Sequence, residues 1–195
     1  MKIAWVIDNL KLVGGAQRVL ILFAKTLQNT NHQLTVVCLR EYPDSPVPEQ
    51  LQKLGARVVT FHGKNLRDAG RFMKLLRFFK QEKFDVIHTH LTYANILGTL
   101  AGRYAGTPVI ASLHNSRLDT GNYHQVVNGA EAFLLKNFAQ EIMAVGYTTA
   151  EAHAARLGNR KIDVTPLDVD IPPALSPERR LELRKEMAGD PERTF

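Results

Sequence analysis

Lys2-Ile3-Ala4-Trp5-Val6-Ile7-Asp8, followed after a short loop by Gly14-Gly15-Ala16-Gln17-Arg18, decides how this chain folds. The first stretch is apolar and ends in polar residues, which suits a strand buried on both faces. The second opens an apolar run from Val19 to Ala24 with helical character. Strand, glycine turn, helix is the first half of a crossover unit. The same alternation continues outward. Further strands are predicted over 33–39, 57–61, 84–89, 108–113, 141–145 and 162–165. Helices are predicted over 15–29, 49–54, 66–82, 93–104, 125–138 and 148–157. Such alternation predicts an α/β fold, a Rossmann-like doubly wound parallel sheet of about seven strands with helices on both faces.

The 195 residues, 45% of them hydrophobic, suffice for one good core and not for two. The longest apolar runs are about six residues, far below the roughly 20 a membrane span needs. The N-terminus is too quickly interrupted at Asp8 for a secretory signal. The single Cys38 cannot form an internal disulfide and reads as a core residue, which favours a reducing, cytoplasmic compartment. A net charge of +6 attracts anions without choosing among nucleic acid, anionic lipid and phosphorylated substrates. Residues 1–172 are expected to form the domain. Pro166, Pro172 and Pro173 mark a linker, and Ser176 caps a charged helix. Residues 173–195 are therefore expected to be linker and the start of a second domain.

In a doubly wound sheet the first strand is central, and ligands bind at the carboxyl ends of strands where the winding reverses. Three loops should converge there: Asp8, Asn9 and the loop to Gly14-Gly15; Thr89, His90 and Thr92; and His114, Asn115 and Ser116. Paired glycines at a helix start admit close approach of a negatively charged ligand, although a tight turn with no ligand has the same sequence. The spacing is not the dinucleotide fingerprint G-x-G-x-x-G, which argues against a nicotinamide enzyme. His88 and His90 share a strand face, but two histidines without a nearby Cys, Asp or Glu are too few for metal. His88 is expected to pack under a helix and His90 to reach the cleft edge. Asp119 falls in a polar stretch suited to an acceptor-facing loop.

On a helical wheel over 66–82, Leu66, Ala69, Phe72, Met73, Leu75, Leu76 and Phe79 form one arc. Arg67, Arg71, Lys74 and Arg77 lie opposite, with Phe78 among them. Docking on an anionic membrane surface is one reading of that face, and an ordinary solvated helix is the other. No nucleic-acid-binding motif is present, and no nucleic-acid partner is expected.

Taken together, five segments resemble the N-terminal domain of GT-B glycosyltransferases of the retaining family 4 type. They are Gly14-Gly15-Ala16-Gln17-Arg18, Phe84-Asp85-Val86-Ile87-His88-Thr89-His90, Pro108-Val109-Ile110-Ala111-Ser112-Leu113-His114, Ala144-Val145-Gly146 and Lys161-Ile162-Asp163-Val164-Thr165-Pro166. The resemblance implies the acceptor-binding half of a cleft enzyme that moves a sugar from a nucleotide-sugar to a lipid-linked or polysaccharide acceptor. The donor would be bound mainly by a C-terminal domain with a Glu-x7-Glu motif. It implies no metal and no cofactor beyond that co-substrate. It places Gly14 and Gly15 by the donor phosphates or sugar and His114 beside the transferred sugar. Gln17 and Arg18, which follow the glycines, are expected on the donor side. The strand-end convergence puts Asn9, His90, Thr92 and Asn115, with Asp119 of the polar stretch, along the cleft or acceptor side. The resemblance also implies a chain inactive without its second half; the single cysteine and the basic face of the 66–82 helix add the expectation of a cytoplasmic protein, peripheral on the inner membrane face. Pro166-Leu167-Asp168-Val169-Asp170 departs from the family's Pro-Asn-Gly-Val-Asp and lacks its Asn-Gly turn. A non-catalytic α/β binding module, or an unrelated nucleotide-binding α/β enzyme, are the alternatives.

Overall fold

A computed structural model describes residues 1–12, 14–40, 42–116, 121–166 and 174–188. Its centre is a seven-stranded parallel sheet in the order β3-β2-β1-β4-β5-β6-β7. The strands are β1 (Lys2–Ile7), β2 (Gln33–Cys38), β3 (Arg57–Thr60), β4 (Val86–His90), β5 (Val109–Leu113), β6 (Glu141–Ala144) and β7 (Asp163–Val164). The helices are α1 (Gly15–Leu27), α2 (Val47–Lys53), α3 (Ala69–Glu82), α4 (Thr92–Ala105), α5 (Asn122–Phe138), α6 (Tyr147–Leu157) and α7 (Pro177–Ala188). The winding reverses between β3 and β4, so β1 lies between β2 and β4 as the alternation predicts.

Side-chain alternation along β1 builds two cores. Ile3, Trp5 and Ile7 pack with Ala16, Leu20 and Leu51 of α1 and α2. Ala4 and Val6 point the other way, to Leu75 and Phe79 of α3 and Ala94 and Leu97 of α4. A third cluster joins β5 and β6 to α5 and α6 through Leu113, Leu135, Ile142 and Leu157. Gly98 and Gly102 let α4 lie directly on the sheet, because a Cβ at either would run into Thr89 or Val109.

Several boundaries differ from the sequence reading for local reasons. Helix α3 starts at Ala69 because the Asp68 carboxylate caps it, accepting from Arg71 N at 3.0 Å. Leu66 and Arg67 therefore precede the helix. Strand β4 reaches His90, and α4 begins after a single connecting residue, Leu91. That residue turns the chain at φ 74°, a conformation disfavoured for a leucine. The predicted cap of the charged helix is present, with Arg179 N donating to Ser176 Oγ at 3.2 Å. The hinge segment after Pro166 and the end of the chain lie outside the described residues.

Candidate functional site

Parallel pairing lines up the carboxyl ends that the site needs. Ile7 is opposite His90, and His90 is opposite Ser112. The residues just beyond, Asp8, Leu91 and His114, therefore meet at one edge of the sheet.

At the end of β1 the glycine loop has two different glycines. Gln17 is buried, and its amide donates to Asn9 O at 2.9 Å and to Asn9 Oδ1 at 3.2 Å. Asn9 Oδ1 also accepts from Lys11 N at 3.3 Å. Gln17 thus braces the loop from within, which corrects the expectation that it faces the donor. A Cβ on Gly14 would overlap the Gln17 amide oxygen, so Gly14 is small to admit that brace. Gly15 has open space where a Cβ would be, at the first turn of α1, with Arg18 exposed nearby. Of the four residues expected at the donor, Gly15 and Arg18 are exposed, Gly14 is half-buried and Gln17 is buried.

Asp8, expected only as a strand-end residue, ties β1 to α4. Its carboxylate accepts from Ala94 N at 2.6 Å and Tyr93 N at 3.3 Å, at the positive end of the helix. Burial pushes its pKa up to about 7, although the two backbone donors pull the other way.

Behind Asp8 stand three neutral histidines. His90 is buried, and it lines the cavity shared with His114 from within rather than from an exposed edge. It stacks flat on Trp5, with ring centroids 3.7 Å apart and planes 6° apart. Its Nδ1 is 2.9 Å from His114 Nε2. His88 Nε2 is 2.8 Å from Ser112 Oγ. Burial depresses all three: His88 to about 3, His114 to about 4, and His90 well below its ordinary range, with the neighbouring imidazoles adding to the effect on His88 and His90. None carries charge at neutral pH. His114 is the outermost and lines an apolar cavity of about 240 Å³ with Trp5, Val19, Phe23, His88 and Thr165. The glycine-loop helix supplies Val19 and Phe23, so α1 and the loop after β5 share one cavity. Among the described residues, no three of His, Cys, Asp or Glu are grouped as a metal site.

A buried polar network fixes the His114 loop from the opposite side. Thr89 Oγ1 donates to Asn95 Oδ1 at 2.8 Å, and Asn95 Nδ2 donates to Glu131 Oε1 at 2.8 Å. Arg156 pairs with Glu131 Oε2 at 2.7 Å and donates to Asn128 O at 3.0 Å. It also donates to His153 Nδ1 from Nε at 2.9 Å, so His153 carries its proton on Nε2 and gives it to Asn115 O at 2.8 Å. Asn115 therefore serves the site through its backbone. Thr92 and His114 line a small polar cavity against this network. A local motif cannot reveal the network, because its members come from β4, α4, α5 and α6.

The wheel reading of α3 is also corrected. Arg71 is buried: its guanidinium donates to Asn65 O at 2.6 Å and Leu39 O at 3.5 Å. Phe78 packs on the core against Phe61 at 5.2 Å and Phe84 at 5.8 Å. Met73, assigned to the core arc, is 44% exposed. The true inward face runs through Arg71, Leu75, Phe78 and Phe79. An arginine can sit there because backbone carbonyls accept its donors. Lys74 and Arg77 remain exposed on α3, and Arg67 is exposed in the preceding loop. Asp119 lies outside the described residues.

Comparison with known proteins agrees with this geometry. The sequence model of Glycosyltransferase Family 4 matches residues 13–171. A UDP-Gal:alpha-D-GlcNAc-diphosphoundecaprenol alpha-1,3-galactosyltransferase of Escherichia coli is 30% identical over 120 residues, which are 58% of this chain and 30% of that protein. Anabaena HepE in complex with UDP superposes with a TM-score of 0.77 at 22% identity, over 95% of this chain and 50% of that one. The lipopolysaccharide outer core galactosyltransferase WaaB superposes with a TM-score of 0.62 at 16% identity, over 90% of this chain and 48% of that one. At these identities the structural likeness speaks for the fold. The chain spans about half the length of the two solved structures and a smaller part of the Escherichia coli enzyme.

Proposed function

The chain belongs to glycosyltransferase family 4, and from that premise we propose that it is the acceptor-side half of a sugar transferase. The enzyme would move a sugar from a nucleoside-diphosphate sugar to a lipid-linked acceptor, with retention of anomeric configuration. One observation carries this reading: helix α1, which the glycine loop opens, and His114 line a common cavity, α1 through Val19 and Phe23, over Trp5 of β1 and the carboxyl ends of β4, β5 and β6. That is where a reversal of winding leaves a crevice for a ligand. The Escherichia coli relative, whose acceptor is a diphosphoundecaprenol-linked sugar, supports the acceptor class.

In this reading the glycine loop and the cavity behind it have different tasks. Backbone N–H groups at Gly15 and the charge of Arg18 meet the donor's negative charge, which grows on the leaving diphosphate. His114 stays neutral and orients the sugar by a hydrogen bond. Its Nε2 faces His90, and His90 Nε2 has no partner among the described residues. A bare lone pair is the cheaper group to leave buried there, so His90 donates from Nδ1. His114 then keeps its own proton on Nδ1, as a donor to a sugar oxygen. The acceptor's lipid, rather than an aromatic anchor on α3, would bring the chain to a membrane; among the described residues no helix is long and apolar enough to span one. Residues 1–172 would form this half and residues 173–195 the passage to a donor-binding half, without which no transfer occurs.

The test is transfer of labelled galactose from UDP-galactose to a diphosphate-linked GlcNAc lipid. The chain joined to, or mixed with, its donor-binding half should transfer, and the 195-residue chain alone should not. Transfer by the chain alone refutes the half-enzyme reading. No transfer by the completed protein with any nucleotide-sugar favours the non-catalytic binding module.

A further inference from the structure

A second cavity, of about 250 Å³, opens at the carboxyl ends of β1, β2 and β3 and shares no residue with the one beside His114. Arg40 from the end of β2, Lys64 from the loop after β3, and Arg71 from α3 all line it. Asp8 and Tyr93 form the side toward α4. The two cavities lie toward opposite faces of the sheet: the first beside Trp5, His88 and α1, the second beside α3 and the start of α4.

Arg71 is the unusual member. It is more than nine-tenths buried, a costly place for a cation unless its donors are met. Protein carbonyls of Asn65 and Leu39 take two of its five N–H groups. Its Nε has no partner among the described residues. The backbone has been kept close to the guanidinium, since a Cβ on Gly63 would collide with Arg71 Cδ and Nε. The carboxylate nearest in sequence, Asp68, is engaged by the backbone N–H groups of Arg71 and Lys64. The Asp8 carboxylate is likewise turned to α4, by the N–H groups of Ala94 and Tyr93. Three cations therefore surround a cavity whose two acidic neighbours are already committed to backbone donors. A buried guanidinium held by backbone carbonyls, with an exposed guanidinium and an exposed ammonium beside it in a concave site, suits recognition of phosphate oxygens.

We propose that this cavity, formed by Arg40, Lys64 and buried Arg71, binds the phosphate or diphosphate group of the acceptor, at a site separate from that of the donor's diphosphate. The acceptor assignment rests on the glycosyltransferase reading above; the anion site itself does not. The phosphate could belong to a lipid-linked diphosphate or to a free sugar phosphate, and the two sources differ only in what hangs from it.

Calorimetric titration of the 195-residue chain with inorganic pyrophosphate, geranyl diphosphate and UDP tests the proposal. Saturable pyrophosphate binding is expected. Arg40→Glu and Lys64→Glu should each weaken it about tenfold or more, whereas Lys53→Glu, on the exposed end of α2, should not. Arg40, Lys64 and Lys53 are all exposed, so these variants leave the core intact. Tighter binding of geranyl diphosphate identifies a lipid-linked acceptor, and equal binding identifies a soluble phosphorylated one; both support the site. UDP that displaces pyrophosphate competitively, with the same sensitivity to both variants, makes this the donor's site and overturns the proposal. No saturable binding of pyrophosphate or geranyl diphosphate also overturns it, while the transfer assay decides the enzymatic reading independently.

Discussion

At the residue scale, the two glycines of Gly14-Gly15 separate by what each adjoins. Gly14→Ala pushes a methyl into the space of the Gln17 amide. The amide is flexible, so the cost is not a hard clash but the two bonds it makes to Asn9. At roughly 1 kcal/mol per bond, a loss of about 1–2 kcal/mol is expected in urea unfolding. Gly15→Ala meets nothing and replaces a helical glycine, so stability should hold or rise by about 0.5–1 kcal/mol. Equal losses for both would show that the loop is not braced as described. The histidine pair gives a second residue-scale prediction. Nitrogen-15 NMR at neutral pH should find His90 and His114 both neutral and both protonated on Nδ1. Protonation of His90 on Nε2 would reverse the donor role assigned to His114.

At the element scale, helices α5 and α6 matter to the site although neither was expected to reach it. The Glu131–Arg156 pair, 3% and 13% exposed, is held at 2.7 Å and connects through His153 to the Asn115 carbonyl. Removing one partner strands the other in a buried place, a loss of about 3–5 kcal/mol. Arg156→Met should therefore destabilise the chain by that amount in chemical denaturation and shift the amide resonances of residues 114–116. Loss of stability without movement of that loop would make the pair purely structural. The contrast with α3 explains what the sequence could and could not tell. Apolar periodicity found α3, and the strand–helix alternation found all seven strands and the central place of the first. A wheel, however, ranks arginine as solvent-facing and cannot know that Asn65 and Leu39 offer carbonyls to Arg71. Nor can it know that Phe61 and Phe84 wait for Phe78. Accordingly Phe78→Ala should cost about 2–3 kcal/mol through lost packing, measured by thermal unfolding. The glycine loop, His90 and His114 were legible because strand ends in a doubly wound sheet converge by topology. The Glu131 network was not, because its members are brought together only by packing of helices distant in sequence.

At the scale of the whole molecule, two sets of groups at the same sheet edge push stability in opposite directions as pH changes. His88 and His114 titrate near 3 and 4 in the fold, against an ordinary histidine value of 6.5. Between pH 6.5 and about 4 the unfolded chain binds protons that the folded chain refuses. Stability from these groups is therefore full above pH 6.5 and is lost as pH falls through that window. Asp8 does the reverse. Its folded value of about 7 lies above its ordinary 3.8, so the folded chain holds a proton that the unfolded one releases. Its contribution is full below pH 4 and declines as pH rises toward 7. Wild-type stability is a sum in which the two slopes partly cancel, and single variants separate them. His114→Gln should lower the dependence on acid and raise stability at pH 5 relative to pH 7 by an amount of order 2 kcal/mol, the part of the difference between 6.5 and about 4 that falls in that interval. Asp8→Asn keeps an oxygen acceptor at the start of α4 and removes the titration. Its melting temperature should fall more steeply with acid than that of the wild type, because the histidine slope is left unopposed. Melting curves of the three proteins at pH 4.5, 5.5, 6.5 and 7.5 read both effects. If Asp8→Asn instead shows a profile parallel to that of wild type, Asp8 titrates in the ordinary carboxylate range, and if a flatter one, below it; in either case α4 is capped by a charge at neutral pH. The same measurement bears on function. A neutral Asp8 beside Arg40, Lys64 and Arg71 leaves the second cavity with an unopposed positive field, and an ionised one reduces it. A family member with a phosphorylated acceptor would thus bind that acceptor more weakly as pH rises past 7, and Asp8→Asn should remove the decline.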